Sequence, residues 1–230
     1  MQAIVLAGGY GTRLRSVLKN MPKPMALVAG KPFLEYILTW LLANGITETI
    51  IAVGYMGESI VSHFKDRYHG MKIRYSRETE PLKTGGAIKK ALGYCPENTV
   101  FIINGDTYFD VDLRSMEVDF NEKKYDLLMA VKELHNFDRY GSLIIEDGRV
   151  TAFSEKQRQI YGYINGGVYI VNRDLLDDCP EIFSFETDFM EKSISNICIG
   201  AFVSTGYFID IGIPEDYELA QVEFRGGAPR

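Results

Sequence analysis

Short runs of apolar residues rich in Val and Ile recur through the first half of the chain, at 3–6, 49–53, 73–76 and 100–103. Strands buried on both faces of a parallel sheet read as continuous apolar runs of this kind. Between the first two runs, Phe33, Leu34, Ile37, Leu38, Leu41 and Leu42 repeat at helical spacing, and Gly45 stands just beyond them as a stop signal. The pattern predicts a βαβ unit, with further helices over 58–64 and 86–92, each followed by another strand. The expected fold class is α/β, a doubly wound, mostly parallel, Rossmann-like sheet.

After about Lys124 the pattern shifts to strands with hairpin signals. Strands are predicted at 142–145 and 150–153, joined through Asp147-Gly148, and again at 167–171, 201–204 and 207–211. This second part reads as a smaller antiparallel β region. No Pro-, Gly- or Ser-rich linker separates the two parts, so the expected organisation is one domain over 1–230. Within it, 1–124 and 125–225 face each other across a crevice, and 226–230 forms a frayed tail.

Composition narrows the function. The 230 residues carry a net charge of -6, which argues against sequence-independent nucleic-acid binding, because that needs a positive field. Cys95, Cys179 and Cys198 are odd in number and widely spaced, so neither a disulfide framework nor a zinc site is indicated. His63, His69 and His135 do not sit at ligand spacing. The chain shows no apolar stretch of membrane-spanning length, and the expected location is the cytoplasm. A homo-oligomer is compatible with the sequence, which does not fix the oligomeric state.

Candidate chemistry begins where the first strand ends. Leu6-Ala7-Gly8-Gly9-Tyr10-Gly11-Thr12-Arg13-Leu14 is a glycine-rich turn, and such turns let backbone N–H groups approach phosphate oxygens without Cβ interference. It is not a P-loop, because no Gly-Lys-Ser/Thr follows. It is a poor dinucleotide fingerprint, since the third glycine position is Leu14 and no acidic residue closes the second strand. Arg13, Arg15 and Lys23 add cations within short reach, a grouping suited to a triphosphate. A tight turn with solvated basic residues is the plainer alternative.

The motif Gly8-Gly9-Tyr10-Gly11-Thr12-Arg13-Leu14 with Pro22-Lys23-Pro24 resembles the signature of the sugar-1-phosphate nucleotidyltransferases. Pro81-Leu82-Lys83-Thr84-Gly85-Gly86-Ala87, Asn104-Gly105-Asp106, Glu155-Lys156, Asn165-Gly166-Gly167 and Asp210-Ile211-Gly212-Ile213-Pro214 follow in that family's order, so the resemblance covers nearly the whole chain. Within the family, Lys31 to Tyr36, Asn104 to Thr107 and Phe137 to Gly141 look most like the members that transfer guanylyl groups to D-glycero-α-D-manno-heptose 1-phosphate.

The resemblance implies binding of GTP and a sugar 1-phosphate, with Mg²⁺ as cofactor and pyrophosphate as the second product. The same reaction on mannose, glucose or N-acetylmuramic acid 1-phosphate with GTP, UTP or dTTP is an alternative, and so is a silent nucleotide-sugar-binding regulator. Asp106 and Asp210, at the ends of two strands, are the implied Mg²⁺ ligands, although either alone suits a cap or turn. Arg13 is implied at the leaving pyrophosphate and Lys23 at the α-phosphate. Leu6, Ala7, Gly8, Gly9, Gly11, Thr12, Arg13, Glu80, Thr84, Gly85 and Asp106 are the expected nucleotide contacts.

Guanine offers adjacent N1–H and N2–H donors, which a carboxylate such as Glu80 can accept together. By resemblance, pyrimidine-selective members present a glutamine near this place, and its absence favours a purine. Gly141, Glu155, Lys156, Asn165 and Gly166 are the expected sugar-phosphate contacts, although they serve equally well as turn formers and caps. Lys83 stands where the family usually shows glycine. If that position needs positive φ, lysine costs about 1 kcal/mol.

Overall fold

The computed structural model describes residues 1–9 and 21–229. The first half runs β1 (Gln2–Leu6), a 3-10 turn at Lys23–Met25, β2 (Leu27–Val28), β3 (Lys31–Pro32), α1 (Phe33–Ala43), β4 (Glu48–Val53), α2 (Gly57–Phe64), β5 (Arg67–Tyr68), β6 (Met71–Arg77), α3 (Lys83–Leu92) and β7 (Thr99–Asn104). The second half continues with β8 (Thr107–Phe109), α4 (Leu113–Lys123), β9 (Leu127–Phe137), β10 (Ser142–Glu146), β11 (Arg149–Ser154) and β12 (Gln159–Asn172). A π-helical turn at Phe185–Met190 follows, then α5 (Glu191–Ser193), β13 (Ile199–Ser204), β14 (Phe208–Asp210) and α6 (Pro214–Glu223).

The four apolar runs of the first half are parallel neighbours, as their two-sided hydrophobicity predicts. Ile4 of β1 pairs with Ile50 of β4 on one side and Ile102 of β7 on the other, and β6 extends the sheet beyond β4. Successive side chains point to opposite faces. Ala3, Val5, Ile51 and Ile103 join the core that α1 covers through Phe33, Leu34, Ile37, Leu38 and Leu41. Ile4, Ile50 and Ile102 join the opposite core, built on Ile88, Ala91 and Leu92 of α3 and on Phe185 and Phe189. Each fully buried Leu or Ile contributes about 1.5–3 kcal/mol relative to an exposed one, and these two apolar faces fix the strand register.

The antiparallel strands β9 to β12 do not form a sheet of their own, whereas β14 pairs only with β8 in a separate two-stranded sheet. β12 pairs with β7, Tyr169 opposite Ile102, so one ten-stranded mixed sheet runs through both halves in the order β10-β11-β13-β9-β12-β7-β1-β4-β6-β5. The predicted hairpin is present, with Asp147 at φ 50° and Gly148 at φ 76°, the positive values that a tight type I′ turn needs. β12 is much longer than the predicted 167–171, because its ladder with β9 shifts register between Asn165 and Tyr169 and continues beyond the shift. Several elements were not predicted individually, among them α4, β9 and α6. In α4 only Leu113, Met116 and Phe120 are buried, too sparse a stripe to stand out. β9 is buried over its first five residues and largely open beyond them, and α6 buries Ala220 alone.

The loops after β1, β4, β6 and β7 emerge at the carboxyl ends of parallel strands, the edge where open α/β sheets bind ligands. Among the described residues no helix is long and apolar enough to cross a membrane.

Candidate active site

A cavity of about 680 Å³ opens at that edge. Its walls include Leu6, Ala7, Gly8 and Gly9 after β1, Gly54 and Tyr55 after β4, Glu78 to Pro81 after β6, and Asn104 and Asp106 after β7. Lys23, Pro24, Lys83, Thr84, Glu186 and Gly212 complete the lining. Two backbone bonds seat the first loop: the Ala7 N–H donates to the Ala52 carbonyl at 2.8 Å, and the Gly105 N–H donates to the Leu6 carbonyl at 2.9 Å. A Cβ on Gly8 would lie 2.5 Å from Glu78 Oε1 and 3.2 Å from the Gly54 nitrogen, so a side chain there would displace the Glu78 carboxylate. A Cβ on Gly9 would meet nothing within 4 Å among the described residues. The predicted Gly11, Thr12 and Arg13 lie outside the described residues.

The two candidate metal carboxylates are brought together by a short antiparallel pair, in which Asp210 of β14 faces Thr107 of β8, next in sequence to Asp106. The Ile211 N–H donates to the Asp106 carbonyl at 3.1 Å and closes the juncture. Lys23 reaches both carboxylates from the 3-10 turn, where Pro22 and the buried Pro24 fix the backbone. Its ammonium donates to Asp106 Oδ2 at 2.6 Å and lies 3.6 Å from Asp210 Oδ1.

Burial raises the Asp210 carboxyl above its ordinary pKa. The Asp106 charge raises it further, and Lys23 only partly offsets the two. Asp210 Oδ1 is buried and finds no hydrogen-bond partner among the described residues. A pair of hard oxygen donors with excess negative charge and one unsatisfied buried oxygen fits a divalent cation such as Mg²⁺, which is held by one or two carboxylates with phosphates and water completing its shell. Asp106 and Asp210 would hold it.

The loop after β6 is shaped by its own carboxylate. Glu78 is half-buried, and its Oε2 accepts the Leu82 N–H at 3.0 Å; burial raises its pKa, with that bond and Lys90 acting against the shift. Glu80 is left exposed on the cavity rim. Lys83 takes φ 59°, so the lysine does occupy a position of glycine-like backbone, at a cost of about 1 kcal/mol. Its ammonium lies 3.5 Å from Asp188 Oδ2. The expected contact Gly85 is not among the residues that line the cavity. A side chain there would drive into the Phe183 ring, and the Gly85 N–H donates to the Phe183 carbonyl at 2.9 Å.

The expected sugar-phosphate residues do not line the cavity. Glu155 and Lys156 are exposed in the link between β11 and β12. Asn165 donates to the Tyr169 hydroxyl at 2.7 Å and accepts the Gly167 N–H at 2.9 Å, so much of its amide is committed within its own strand. A side chain on Gly166 would enter the Phe109 ring, so packing alone requires glycine there. A Cβ on Gly141 would sit 2.8 Å from the Ser154 carbonyl oxygen.

Several cavity residues were not anticipated. Gly54 and Tyr55 follow β4 by the same strand-end rule that singled out Gly8 and Gly9, so the signal was present. Glu186 lies in the π-helical turn, which Ser184 caps by accepting the Thr187 N–H at 3.2 Å.

The nucleotidyl transferase family profile matches residues 2–225. A D-glycero-α-D-manno-heptose 1-phosphate guanylyltransferase of Aneurinibacillus thermoaerophilus is 51% identical over 227 residues, covering 98% of this chain and 99% of that one. A guanylyltransferase of the same description from Campylobacter jejuni is 46% identical over 220 residues, covering 94% and 97%. The crystal structure of HddC from Yersinia pseudotuberculosis superposes with a TM-score of 0.89 at 40% identity, covering 97% of this chain and 99% of its own; in complex with GMP-PN the TM-score is 0.87.

Proposed function

The chain belongs to the nucleotidyl transferase family, and on that premise we propose that it transfers the guanylyl group of GTP to D-glycero-α-D-manno-heptose 1-phosphate, releasing pyrophosphate. Near-full-length identity to two guanylyltransferases of that description supports the substrates. The observation that carries the chemistry is the convergence of Lys23, Asp106 and Asp210 at the edge of a glycine-walled cavity.

Nucleotidyl transfer needs alignment and charge neutralisation more than covalent help from the protein. An oxygen of the sugar phosphate, already anionic at neutral pH, attacks the α-phosphorus of GTP in line with the departing oxygen. The new P–O bond forms as the bond to pyrophosphate breaks, and no general base is required. Asp106 and Asp210 would hold Mg²⁺, which would supply neutralisation of phosphate charge. Lys23, beside both carboxylates, directs its ammonium toward the α-phosphate. Gly8 and Gly9 bring backbone N–H groups to the phosphates, and Arg13 meets the leaving pyrophosphate. Glu80 accepts from the guanine edge, while Lys156, Glu155, Asn165 and Gly141 meet the sugar phosphate. A cytoplasmic setting suits a consumer of GTP.

The test is pyrophosphate release with Mg²⁺ across GTP, ATP, UTP, CTP and dTTP, each against heptose, mannose and glucose 1-phosphates. GTP with the heptose should exceed every other combination. A different best pair would overturn the substrate assignment, and silence throughout would overturn the reaction.

A further inference from the structure

Thr84 and Glu186 lie 102 residues apart in sequence, yet Thr84 Oγ1 donates to Glu186 Oε2 at 2.6 Å. The same hydroxyl accepts the Phe185 N–H at 2.9 Å, so its donor and one acceptor site are both engaged by the π-helical turn. Ser184 Oγ donates to that carboxylate oxygen at 3.0 Å, which fixes Glu186 from its other side. The contact is part of a wider seam. The Gly85 and Gly86 N–H groups both donate to the Phe183 carbonyl, and the Phe183 N–H donates to the Leu82 carbonyl at 3.3 Å. Side chains on Gly85 or Gly86 would collide with the Phe183 ring or the Glu181 carbonyl, so the seam closes only over glycines.

Two carboxylates therefore pin the loop after β6. Glu78 holds the Leu82 N–H from the first half of the chain, and Glu186 holds the Thr84 hydroxyl from the second. Glu80 and Pro81 lie at the cavity lining within the span that the Glu78–Leu82 bond closes, and Thr84 follows that span in the first turn of α3. A hydrogen bond to a charged acceptor is roughly twice as strong as a neutral one, and this pair is partly shielded from water. Loss of either partner would release the loop on one side while leaving the glycine-rich turn after β1 untouched.

We propose that Glu186 is a positioning residue for nucleobase recognition, acting through the Thr84 hydroxyl to hold the Glu80 loop in its receptive conformation. The inference rests on GTP being the nucleotide substrate, and it assigns to the second half of the chain a role in base selection. Calorimetric titration of GTP, ATP and inorganic tripolyphosphate tests it on wild type, Thr84→Val, Glu186→Ala, the double variant and Thr84→Ser.

Thr84→Val and Glu186→Ala should each weaken GTP binding about tenfold and lower its preference over ATP, as expected for loss of one charged hydrogen bond. Tripolyphosphate binding should stay at the wild-type value. The double variant should be no worse than either single one, because the two residues act through one contact. Thr84→Ser, which keeps the hydroxyl, should bind GTP like wild type. Additive losses, or unchanged GTP affinity in a wild-type background that binds GTP, would overturn the inference alone. Absence of GTP binding by the wild type would overturn the substrate reading and the inference with it.

Discussion

Gly9 after β1 and Gly166-Gly167 within β12 stand in different surroundings, and the difference separates a proposed recognition element from packing. No atom of the described residues lies within 4 Å of where a Gly9 side chain would begin. Gly166 and Gly167 sit under Phe109 and Asn104, where a Cβ has no room. The same residue type thus borders space free of the described residues at one place and is enclosed by protein at the other. The charged residues divide likewise: Lys23, Asp106 and Asp210 converge, whereas Glu155 and Lys156 stand exposed on the link between β11 and β12.

The largest effect should come from the point where the halves meet. Asp106→Asn and Asp210→Asn should each lower kcat for pyrophosphate release at least about a thousandfold, since each removes a proposed metal ligand and the electrostatic stabilisation that depends on it. Thermal unfolding should not move to lower temperature in Asp210→Asn, because the neutral amide relieves the burial and like-charge repulsion that raise the Asp210 pKa. Retained turnover in a folded variant would break the proposed division between the halves. Next in size, Glu80→Gln should reduce the preference for GTP over ATP about tenfold in competition kinetics, because the amide replaces one of two acceptor oxygens with a donor.

Paired glycine substitutions sharpen the contrast. Gly9→Ala should leave stability within about 0.5 kcal/mol by denaturant titration and raise the KM for GTP, since no atom of the described residues lies within 4 Å of the added methyl and the proposed phosphate contact is there. Gly166→Ala should cost about 1–3 kcal/mol by the same titration, since the methyl overpacks the Phe109 ring. The reverse pairing of effects would mean that the two glycines have been assigned to the wrong classes.

Much of the first half was legible because strands buried on both faces leave unbroken apolar runs, and the strand-end rule then points to Gly8, Gly9 and Asp106. The second half was harder to read. Asn165-Gly166-Gly167 suits a ligand loop and a register shift equally, and the sequence does not show that Phe109 and Tyr169 pack against it. The demand for glycine at Gly85 is hidden in the same way, since it comes from Phe183, far along the chain. The contact between Thr84 and Glu186 has no local signature, since it depends on how the π-helical turn docks on α3. The polar α4 gave too narrow an apolar stripe to be read as a helix.

The smallest effect concerns that docking seam. Backbone donation from Ser184, with Lys192 and Lys83 adding to it, lowers the Asp188 carboxyl to a pKa of about 2. A carboxylate lowered in the folded state contributes stability above its unfolded value of about 3.9, and that contribution is lost as pH falls toward 2. The difference in unfolding temperature between wild type and Asp188→Asn should therefore be present at pH 5 and shrink between about pH 4 and 2. Because the group is exposed, the difference should be small throughout.

The central claim is attack of a sugar phosphate on the α-phosphorus of GTP, and the fate of labelled phosphate tests it most directly. With heptose 1-phosphate and Mg²⁺, label at the α-position of GTP should appear in the nucleotide-sugar, and label at the γ-position should appear in pyrophosphate. Release of the γ-label as inorganic phosphate, or absence of the α-label from any sugar product, would contradict the account.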